Sequence, residues 1–232
     1  MSTLLLRLAG PLQSWGSASR FTRRGTENAP TKSGVLGLLA AAQGRPRTAD
    51  LSDLAALRFG VRIDQPGTRL RDFQTAHHAD SGKAMPLSER FYLADAVFLA
   101  GVEGETAFLQ ELHAALLAPV FLPYLGRRSC PPSRPIPLEP PMDLPLEDAL
   151  RTAPWQASGY YTRRNAGRTA APRLDVLVDS RPGQTPDVTI RDTPLSFDPR
   201  YRQYGLRGVR TDHVDVSPHD PTAGLSPVQN KH

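Results

Sequence analysis

The sequence predicts an α+β fold, a ferredoxin-like or RRM-like domain followed by a smaller, β-rich C-terminal part. Two observations support the first domain: a strand–helix–strand order at its start, and a second strand–helix pair after a polar interruption. With an irregular last strand, this is the βαββαβ order of that fold. The third observation is a cluster of prolines near residue 136, after which few segments are strand-like. We therefore predict a first domain at 1–135, a β-rich part at 136–215 and a disordered tail at 216–232.

Hydrophobic periodicity predicts the elements of the first domain. The apolar run of residues 3–8 indicates a buried strand. Residues 35–42 have apolar side chains at helical spacing after Thr31, which suits a helix N-cap, and Gly44 ends that helix. The elements expected next, in chain order, are a short helix or turn at 53–57, a strand at 58–64, one strand at 90–101 and an amphipathic helix at 105–117 whose apolar face includes Leu117.

A polar stretch at residues 70–87 separates the second strand from the third and is expected to leave the core. In the C-terminal part, only residues 173–179 and 188–190 have a strand-like pattern. Residues 212–232 have little apolar surface to bury, so we expect them to form the disordered tail.

The composition limits the classes of function. The chain has 232 residues and a formal net charge of +5, and arginine far outnumbers lysine. This charge is as compatible with a nucleic-acid partner as with genomic base composition. The single cysteine, Cys130, excludes a disulfide within the chain and a cysteine-based zinc site. Without a signal-like or membrane-spanning apolar run, we expect a cytoplasmic protein that contacts no membrane.

The loop after the first strand carries Gln13-Ser14-Trp15-Gly16. An indole ring at such a position can stack on a base, and glycine lets the backbone approach a phosphate. A tryptophan beside a turn equally suits a structural role in the core, so both interpretations stay open at this point.

The predicted helix start carries Thr31-Lys32-Ser33-Gly34. Free backbone N–H groups, hydroxyls and a cation there suit a phosphate. The spacing is not that of a Walker A loop, and simple helix capping is the alternative.

The segment Gly126-Arg127-Arg128-Ser129 is the strongest chemical signal. It precedes Cys-Pro-Pro, so the two arginines lie on a constrained loop that can clamp an RNA backbone through charge-assisted bonds. The alternative is a solvated surface pair.

His77 and His78 lie in the polar stretch, without the carboxylate spacing of a metal site. Together with Lys83 they are the only nearby set that offers both a base and an acid for metal-free RNA cleavage. An exposed loop pair is the simpler interpretation.

Five segments in order resemble the CasD family of subunits of the type I-E CRISPR Cascade complex, within the RAMP superfamily. They are LRLAGPLQSWG at 6–16, PTKSGVLGLLAAA at 30–42, RDFQTA at 71–76, the strand at 90–96 and PYLGRRSCPPS at 123–133. The resemblance covers residues 1–133 well. It implies an RRM-like RAMP domain with a β-hairpin thumb, here about residues 70–89, and a non-catalytic role in binding the 5′ handle of the CRISPR RNA.

The resemblance and the motifs together assign RNA contact to a set of loop, helix-start and strand residues. These are Gln13, Ser14, Trp15, Gly16, Arg24, Thr31, Lys32, Ser33, Gly34, Arg71, Gln74, Arg90, Gly126, Arg127, Arg128 and Ser129. No catalytic residue, metal or cofactor is expected. The implied partners are the CRISPR RNA and the backbone and large subunits of Cascade, with target DNA reached only through the complex.

Two other functions stay open. Relatives in the type I-C branch cut precursor RNA, so a metal-independent endoribonuclease is the first alternative, although no matching catalytic set can be identified in this sequence. The second is a protein–protein scaffold without RNA contact, which predicts no salt-dependent RNA binding.

Overall fold

The computed structural model describes residues 1–16, 23–165 and 172–215. These ranges contain ten strands and five helices, which confirms the α+β class. In chain order the elements are β1 (Ser2–Ala9), β2 (Leu12–Gln13), β3 (Arg23–Arg24), α1 (Lys32–Ala42), α2 (Ser52–Ala56), β4 (Arg58–Gln65), β5 (Thr68–Gln74), β6 (Ser88–Ala94), β7 (Val97–Gly104), α3 (Thr106–Leu117), α4 (Leu146–Thr152), α5 (Gly159–Asn165), β8 (Arg173–Asp179), β9 (Val188–Ser196) and β10 (Gln203–Asp215).

The main sheet has six strands in the order β1-β7-β4-β8-β10-β9, and every neighbouring pair is antiparallel. The predicted strands at 3–8 and 58–64 are confirmed as β1 and β4, and both occupy the buried part of this sheet. Because successive side chains of a strand point to opposite faces, each strand supplies two layers of the core. Leu4, Leu6 and Leu8 belong to one apolar cluster and Leu5 to the other.

Helices cover both faces of this sheet. α1, α2 and α3 pack on one face, around Leu36, Leu39 and Leu109, and α4 packs on the other against β1, β4 and β7. The predicted helices at 35–42 and 105–117 are confirmed, and the segment at 53–57, expected to be a helix or a turn, is a helix. Leu117 is 63% exposed, so its predicted place on the buried face of α3 is wrong.

An irregular segment, residues 133–142, covers the outer edge of β1. Arg7 N donates to Ile136 O at 2.7 Å, and Thr3 N and Met142 N each donate to the other residue's carbonyl at 2.8 and 2.9 Å. The sequence predicts an irregular last strand that ends before residue 132. The segment that takes this place beside β1 is residues 133–142, so it lies later in the chain than predicted. At the opposite edge, β9 contains Pro194, and its pairing with β10 shifts register twice.

A second sheet has β6 at its centre. β5 pairs along the whole of β6 on one edge, while β2 and β3 pair with opposite ends of its other edge. The single strand predicted at 90–101 is therefore wrong, because β6 and β7 belong to different sheets. Asp95, with φ 55°, lies in the left-handed region and turns the chain between them.

The polar stretch at 70–87 extends β5 and β6 into a hairpin. Its end is closed by His78 N donating to Lys83 O at 2.9 Å and Met85 N donating to Ala76 O at 2.8 Å. Residues 75–87 are all exposed, which confirms that this stretch leaves the core.

The C-terminal part continues the main sheet, since β8 pairs with β4. Its β-rich character is present, but the sequence did not predict β10, α4 or α5, and β9 is longer than the expected 188–190. Residues 212–215 belong to β10, so they are not part of a tail, and the predicted tail at 216–232 lies outside the described residues. The division into domains at residue 135 stays a prediction.

A buried network of four charges joins the C-terminal strands to α1. Arg207 Nε and Nη2 donate to the two carboxylate oxygens of Asp192 at 2.7 and 2.8 Å, and Arg207 Nη1 donates to Asp179 at 2.7 Å. Lys32 Nζ also donates to Asp179, at 3.0 Å, and Lys32 N donates to Asp192 at 2.8 Å. All four residues are at most 9% exposed. Two cations thus meet two carboxylates, which makes the burial of all four charges tolerable.

The pKa of Arg207 reflects the balance between burial and the two neighbouring carboxylates. Burial lowers the pKa of its guanidinium, but the hydrogen bonds and charges of Asp192 and Asp179 outweigh that effect and raise the pKa above its ordinary value. Arg207 therefore stays charged at any physiological pH.

A second ion pair attaches α4 to the sheet. Arg58, at the start of β4, binds both oxygens of the Glu147 carboxylate and also donates to Glu103 at 3.0 Å. The Arg58 hydrogen bonds lower the pKa of Glu147 to about 2.

In the described ranges, no helix combines the length and the apolar character needed to cross a lipid bilayer.

We predict that Asp192→Ala lowers the free energy of unfolding by about 3–5 kcal/mol, because it removes two of the three hydrogen bonds that the buried Arg207 makes to carboxylates. The matched control is Asp148→Ala, whose carboxylate pairs with Arg151 on the surface, each side chain being 51% exposed. That control should cost about 0–1 kcal/mol. Urea unfolding followed by circular dichroism gives both values, and equal losses would contradict a structural role for the network.

Candidate nucleic-acid interface

Three of the predicted RNA-binding motifs interlock around Trp15. A Cβ on Gly34 would lie 2.8 Å from the Trp15 ring, so this helix-start glycine lets α1 pack against the indole. A Cβ on Gly126 would lie 1.8 Å from Ser14 O, and Gly126 has φ +82°. Glycine is therefore required at both positions, because any side chain would separate the loop at 126–129 or the start of α1 from the residue 13–16 segment.

The polar groups of residues 13–15 are used inside the protein. Gln13 Nε2 donates to Leu8 O and Ala96 O at 2.9 and 2.8 Å, and its Oε1 accepts from Trp15 Nε1 at 3.0 Å. Ser14 Oγ donates to Phe91 O at 3.0 Å. Trp15 and Gln13 are 0% exposed. The expectation that Trp15 stacks on a base is therefore wrong for this conformation, since neither face of the ring is accessible.

The start of α1 is also satisfied internally. Thr31 caps the helix by accepting from Gly34 N at 3.3 Å. The Lys32 N–H and ammonium groups bind Asp192 and Asp179, and Lys32 is only 5% exposed. Ser33 is 9% exposed. The predicted phosphate site at Thr31–Gly34 is therefore corrected: a carboxylate of this chain, Asp192, already occupies the position of the anion.

Arg127, in contrast, presents its charge at the surface of the second sheet. Its Nη2 donates to Arg24 O at 2.8 Å, and its guanidinium lies 4.9 Å from the centre of the Tyr92 ring. Its Nη1 has no hydrogen-bond partner within the described part of the chain. That Nη1 atom is itself shielded from solvent, so the guanidinium is held in place by a ring and a backbone carbonyl and can offer an anion its positive charge and its half-buried edge.

Further arginines lie beside Arg127. Strand β3 pairs with β6 so that Arg24 is the partner of Arg90, and Arg23 lies 5.5 Å from the centre of the Phe91 ring. Arg90 Nε has no partner in the ranges that the structure describes. Arg128, Ser129 and Gly16 are exposed, as the sequence suggested. Because side chains alternate along a strand, Arg23 lies on the other face of this sheet with Phe91, and we call Arg24, Arg90, Arg127 and Arg128 the arginine face.

Arg71 and Gln74 lie on the hairpin, in the strand next to Arg90. The Arg71 guanidinium binds Glu89 at 2.5 Å and lies 4.5 Å from the centre of the Phe73 ring. Gln74 Nε2 donates to Asp72 at 3.1 Å. Both side chains already have partners within the hairpin. To contact RNA as predicted, Arg71 and Gln74 would have to leave these partners.

The histidines of the hairpin lie at its exposed end. His78 Nδ1 is 4.0 Å from Asp80, with side-chain exposures of 56% and 93%. In the described ranges, no cluster of three or more His, Cys, Asp or Glu residues is arranged to bind a metal ion. Among the described residues, the only ion-pair partner of either imidazole is this distant and exposed Asp80 carboxylate, which gives His78 little of the fixed orientation that a general base has.

Sequence reasoning missed the aromatic residues on which arginines of the second sheet stack. Tyr92 and Phe91 were assigned only to a strand, although alternation along Arg90-Phe91-Tyr92 placed one of them on each face. The sequence signal was the spacing of aromatic residues within a strand close to paired arginines, which favours stacked guanidinium groups.

We predict that Gly126→Ala destabilises the protein more than Gly183→Ala. Both glycines have φ +82°, but a Cβ on Gly183 meets no atom within 4 Å. The left-handed conformation alone costs about 1–2 kcal/mol in each variant. The further loss in Gly126→Ala measures the clash with Ser14 O and should shift the fluorescence of Trp15. Equal stability of the two variants would contradict the interlock.

Comparisons with known proteins agree with this architecture. The family described as CRISPR-associated protein (Cas_Cas5) matches residues 3–210. The Cascade subunit CasD of Escherichia coli K12 is 40% identical over 156 residues, which is 58% of this chain and 69% of that protein. A chain of a solved CRISPR RNA-guided surveillance complex has a TM-score of 0.76 and 34% identity, covering 92% of this chain and 90% of its own. A solved Cas protein has a TM-score of 0.71 and 40% identity, covering 94% of this chain and all of its own. The chain therefore belongs to the Cas5 family of CRISPR-associated proteins.

Proposed function

We propose that this protein is a non-catalytic subunit of a type I-E CRISPR Cascade complex and that it binds the 5′ handle of the CRISPR RNA through the arginine face. The single observation that carries the proposal is the Arg127 guanidinium, which is held on the Tyr92 ring beside the exposed side chains of Arg24 and Arg128. The similarity to a Cascade subunit and to a chain of an RNA-guided complex supports the cellular context.

The chemistry of this surface suits an RNA backbone. Arginine donors bind phosphate oxygens in a fixed fork, and such contacts fix the position of the strand without reading its sequence. Residues 13–15, Lys32 and Gly34 support this surface from below, because they hold the segments that carry it. Their proposed role is therefore to position the interface, and direct contact is assigned to the exposed residues.

The neighbour order β4-β7-β1, followed by the irregular segment at 133–142, supports a ferredoxin-like or RRM-like description of the first domain. The hairpin formed by β5 and β6 is the proposed thumb. Four of its apolar side chains, Leu70, Phe73, Met85 and Leu87, are 44–51% exposed, which suits burial against a neighbouring subunit.

The proposed partners are the guide RNA and the backbone and large subunits of the complex, with target DNA reached only through that complex. The proposed location is the cytoplasm, where a guide RNA is available. The buried Cys130 thiol, whose pKa is raised by burial, suits a reducing compartment.

We predict that Arg127→Ala/Arg128→Ala weakens binding to CRISPR repeat RNA. If each arginine neutralises one phosphate, the slope of log affinity against log salt concentration should shrink by about 1.4, at roughly 0.7 per phosphate for a single strand. Fluorescence anisotropy over a salt series measures the slope. The control, Arg47→Ala/Arg151→Ala, removes the same charge from exposed positions outside the second sheet and should leave the slope nearly unchanged.

The same RNA incubated with protein in EDTA separates the alternative functions. Intact RNA is expected, and specific cleavage that disappears in His77→Ala/His78→Ala would establish the endoribonuclease instead. Absence of any salt-dependent binding by the unsubstituted protein would favour a scaffold without RNA contact.

We also predict that deleting residues 76–85 leaves the melting temperature nearly unchanged but impairs assembly with guide RNA and partner subunits. All of these residues are exposed, and a two-stranded extension is marginal in water without support. Size-exclusion chromatography of the reconstituted complex reports assembly. Slow hydrogen exchange of this segment in the free protein would contradict its marginal stability in the absence of partners.

A further inference from the structure

A groove of about 920 Å³ lies at the far end of the second sheet from Arg90. It is bordered by the turns that end β1, β4 and β6 and by helix α5. Its charged lining residues are Arg7, Arg134, Arg164 and one carboxylate, Asp95. None of the residues predicted to contact RNA lines this groove.

Two of its guanidinium groups lack a neutralising partner. Among the described residues neither Arg7 nor Arg134 forms an ion pair. Arg7 Nε is buried without a hydrogen-bond acceptor in the same ranges, and the one side-chain contact of Arg7 is a long one, 3.5 Å to Gln156 Oε1. Burial, and secondarily the positive charge of Arg134, lower the pKa of Arg7. Two cations that face each other in this way favour an anion between them.

A fully buried ion pair fixes the chain at the start of residues 156–159, which line the groove. Arg62 and Asp64 are bound to each other at 2.7 and 2.9 Å, with both side chains 0% exposed. Arg62 donates to the carbonyls of Leu150, Ala153 and Pro154 at 2.6–2.8 Å. Asp64 then accepts from Gln156 N at 2.6 Å. The chain at 153–156 is therefore fixed before α5 begins, so the groove does not depend on a loose loop.

Helix α5 places an aromatic ring at the mouth of this groove. Tyr160 is 67% exposed, whereas its neighbour Tyr161 packs edge-on against Trp155 with ring centres 6.3 Å apart. The helix is attached through Gln65 Oε1, which accepts from Ser158 N and Oγ at 3.1 and 3.0 Å. An exposed ring on a fixed support next to unpaired arginines is the arrangement that binds single-stranded nucleic acid.

We propose that this groove is a second RNA subsite, in which Arg7 and Arg134 bind one phosphate and Tyr160 stacks on an adjacent base. The inference rests on the proposed function and extends it. The groove begins at Ala94, four residues along β6 from Arg90, or roughly 13 Å at 3.3 Å per residue. One RNA strand can therefore follow β6 from the arginine face into the groove.

The test uses the full chain and fluorescein-labelled CRISPR repeat RNA, with anisotropy measured over a salt series. Arg134→Ala should shrink the log–log salt slope by about 0.7, the value for one phosphate. The matched control is Arg47→Ala, an exposed arginine outside the groove, and it should leave the slope unchanged. Arg7 is left in place because it lies in β1.

The ring is tested separately. Tyr160→Ala should weaken binding about fivefold or more, since stacking of one base contributes at least that much, while Tyr160→Phe keeps the ring and should bind like the unsubstituted protein. Melting temperatures of these variants should stay unchanged because both replaced side chains are exposed. If Arg134→Ala does alter stability, the comparison of Tyr160→Ala with Tyr160→Phe alone determines whether the groove binds RNA.

The outcomes separate the two proposals. If the unsubstituted protein binds RNA and Arg127→Ala/Arg128→Ala weakens binding, but Arg134→Ala matches Arg47→Ala and Tyr160→Ala matches Tyr160→Phe, the groove is not a subsite and the arginine face stands. If the unsubstituted protein does not bind, the proposed function itself is overturned, and the groove proposal with it.

Discussion

Arg207 reaches two carboxylates, and each of them is bound in turn to the first half of the chain. Asp192 accepts the first N–H of α1, and Asp179 accepts both the Lys32 ammonium and the backbone N–H of Phe59 in β4. The distance of α1 from the C-terminal strands is thereby set by charge and hydrogen bonding as well as by apolar packing. Since removing any one charge leaves an unpaired charge in the interior, the four residues can only be kept or replaced together.

This constraint explains why the start of α1 has a structural role, while the nearby loop at 126–129 carries side chains at the surface. With the N-terminus of α1 bound to Asp192, Gly34 lies against Trp15, and Trp15 in turn lies next to Gly126. The loop that follows Gly126 can then extend Arg127 over Tyr92. Gly34, Trp15 and Gly126 come from three different motifs, and all three are required for packing. A residue of such a motif can therefore be essential without touching a ligand.

The sequence predicted the parts of the fold that local periodicity determines and missed the parts that distant residues determine. β1, α1, β4 and α3 follow from apolar spacing alone. β10 did not, because a strand of polar and glycine residues such as 203–215 is stabilised by its neighbours β8 and β9. α4 was missed although Leu146, Ala149 and Leu150 have helical spacing, since the surrounding prolines favoured an irregular segment. At the candidate interface, the exposure of Arg128 was predictable from the sequence, whereas the burial of Lys32 depends on Asp179, 147 residues away in the chain.

The two margins of the main sheet bear on how this protein can associate. Residues 133–142 occupy the backbone groups along the outside of β1, while β9 combines Pro194, which lacks an N–H, with two register shifts against β10. Irregular or covered margins prevent edge-to-edge aggregation, in which one sheet extends another. Neighbouring molecules are therefore expected to meet this protein through loops, helices and the hairpin, and not through a sheet that continues from one molecule into the next.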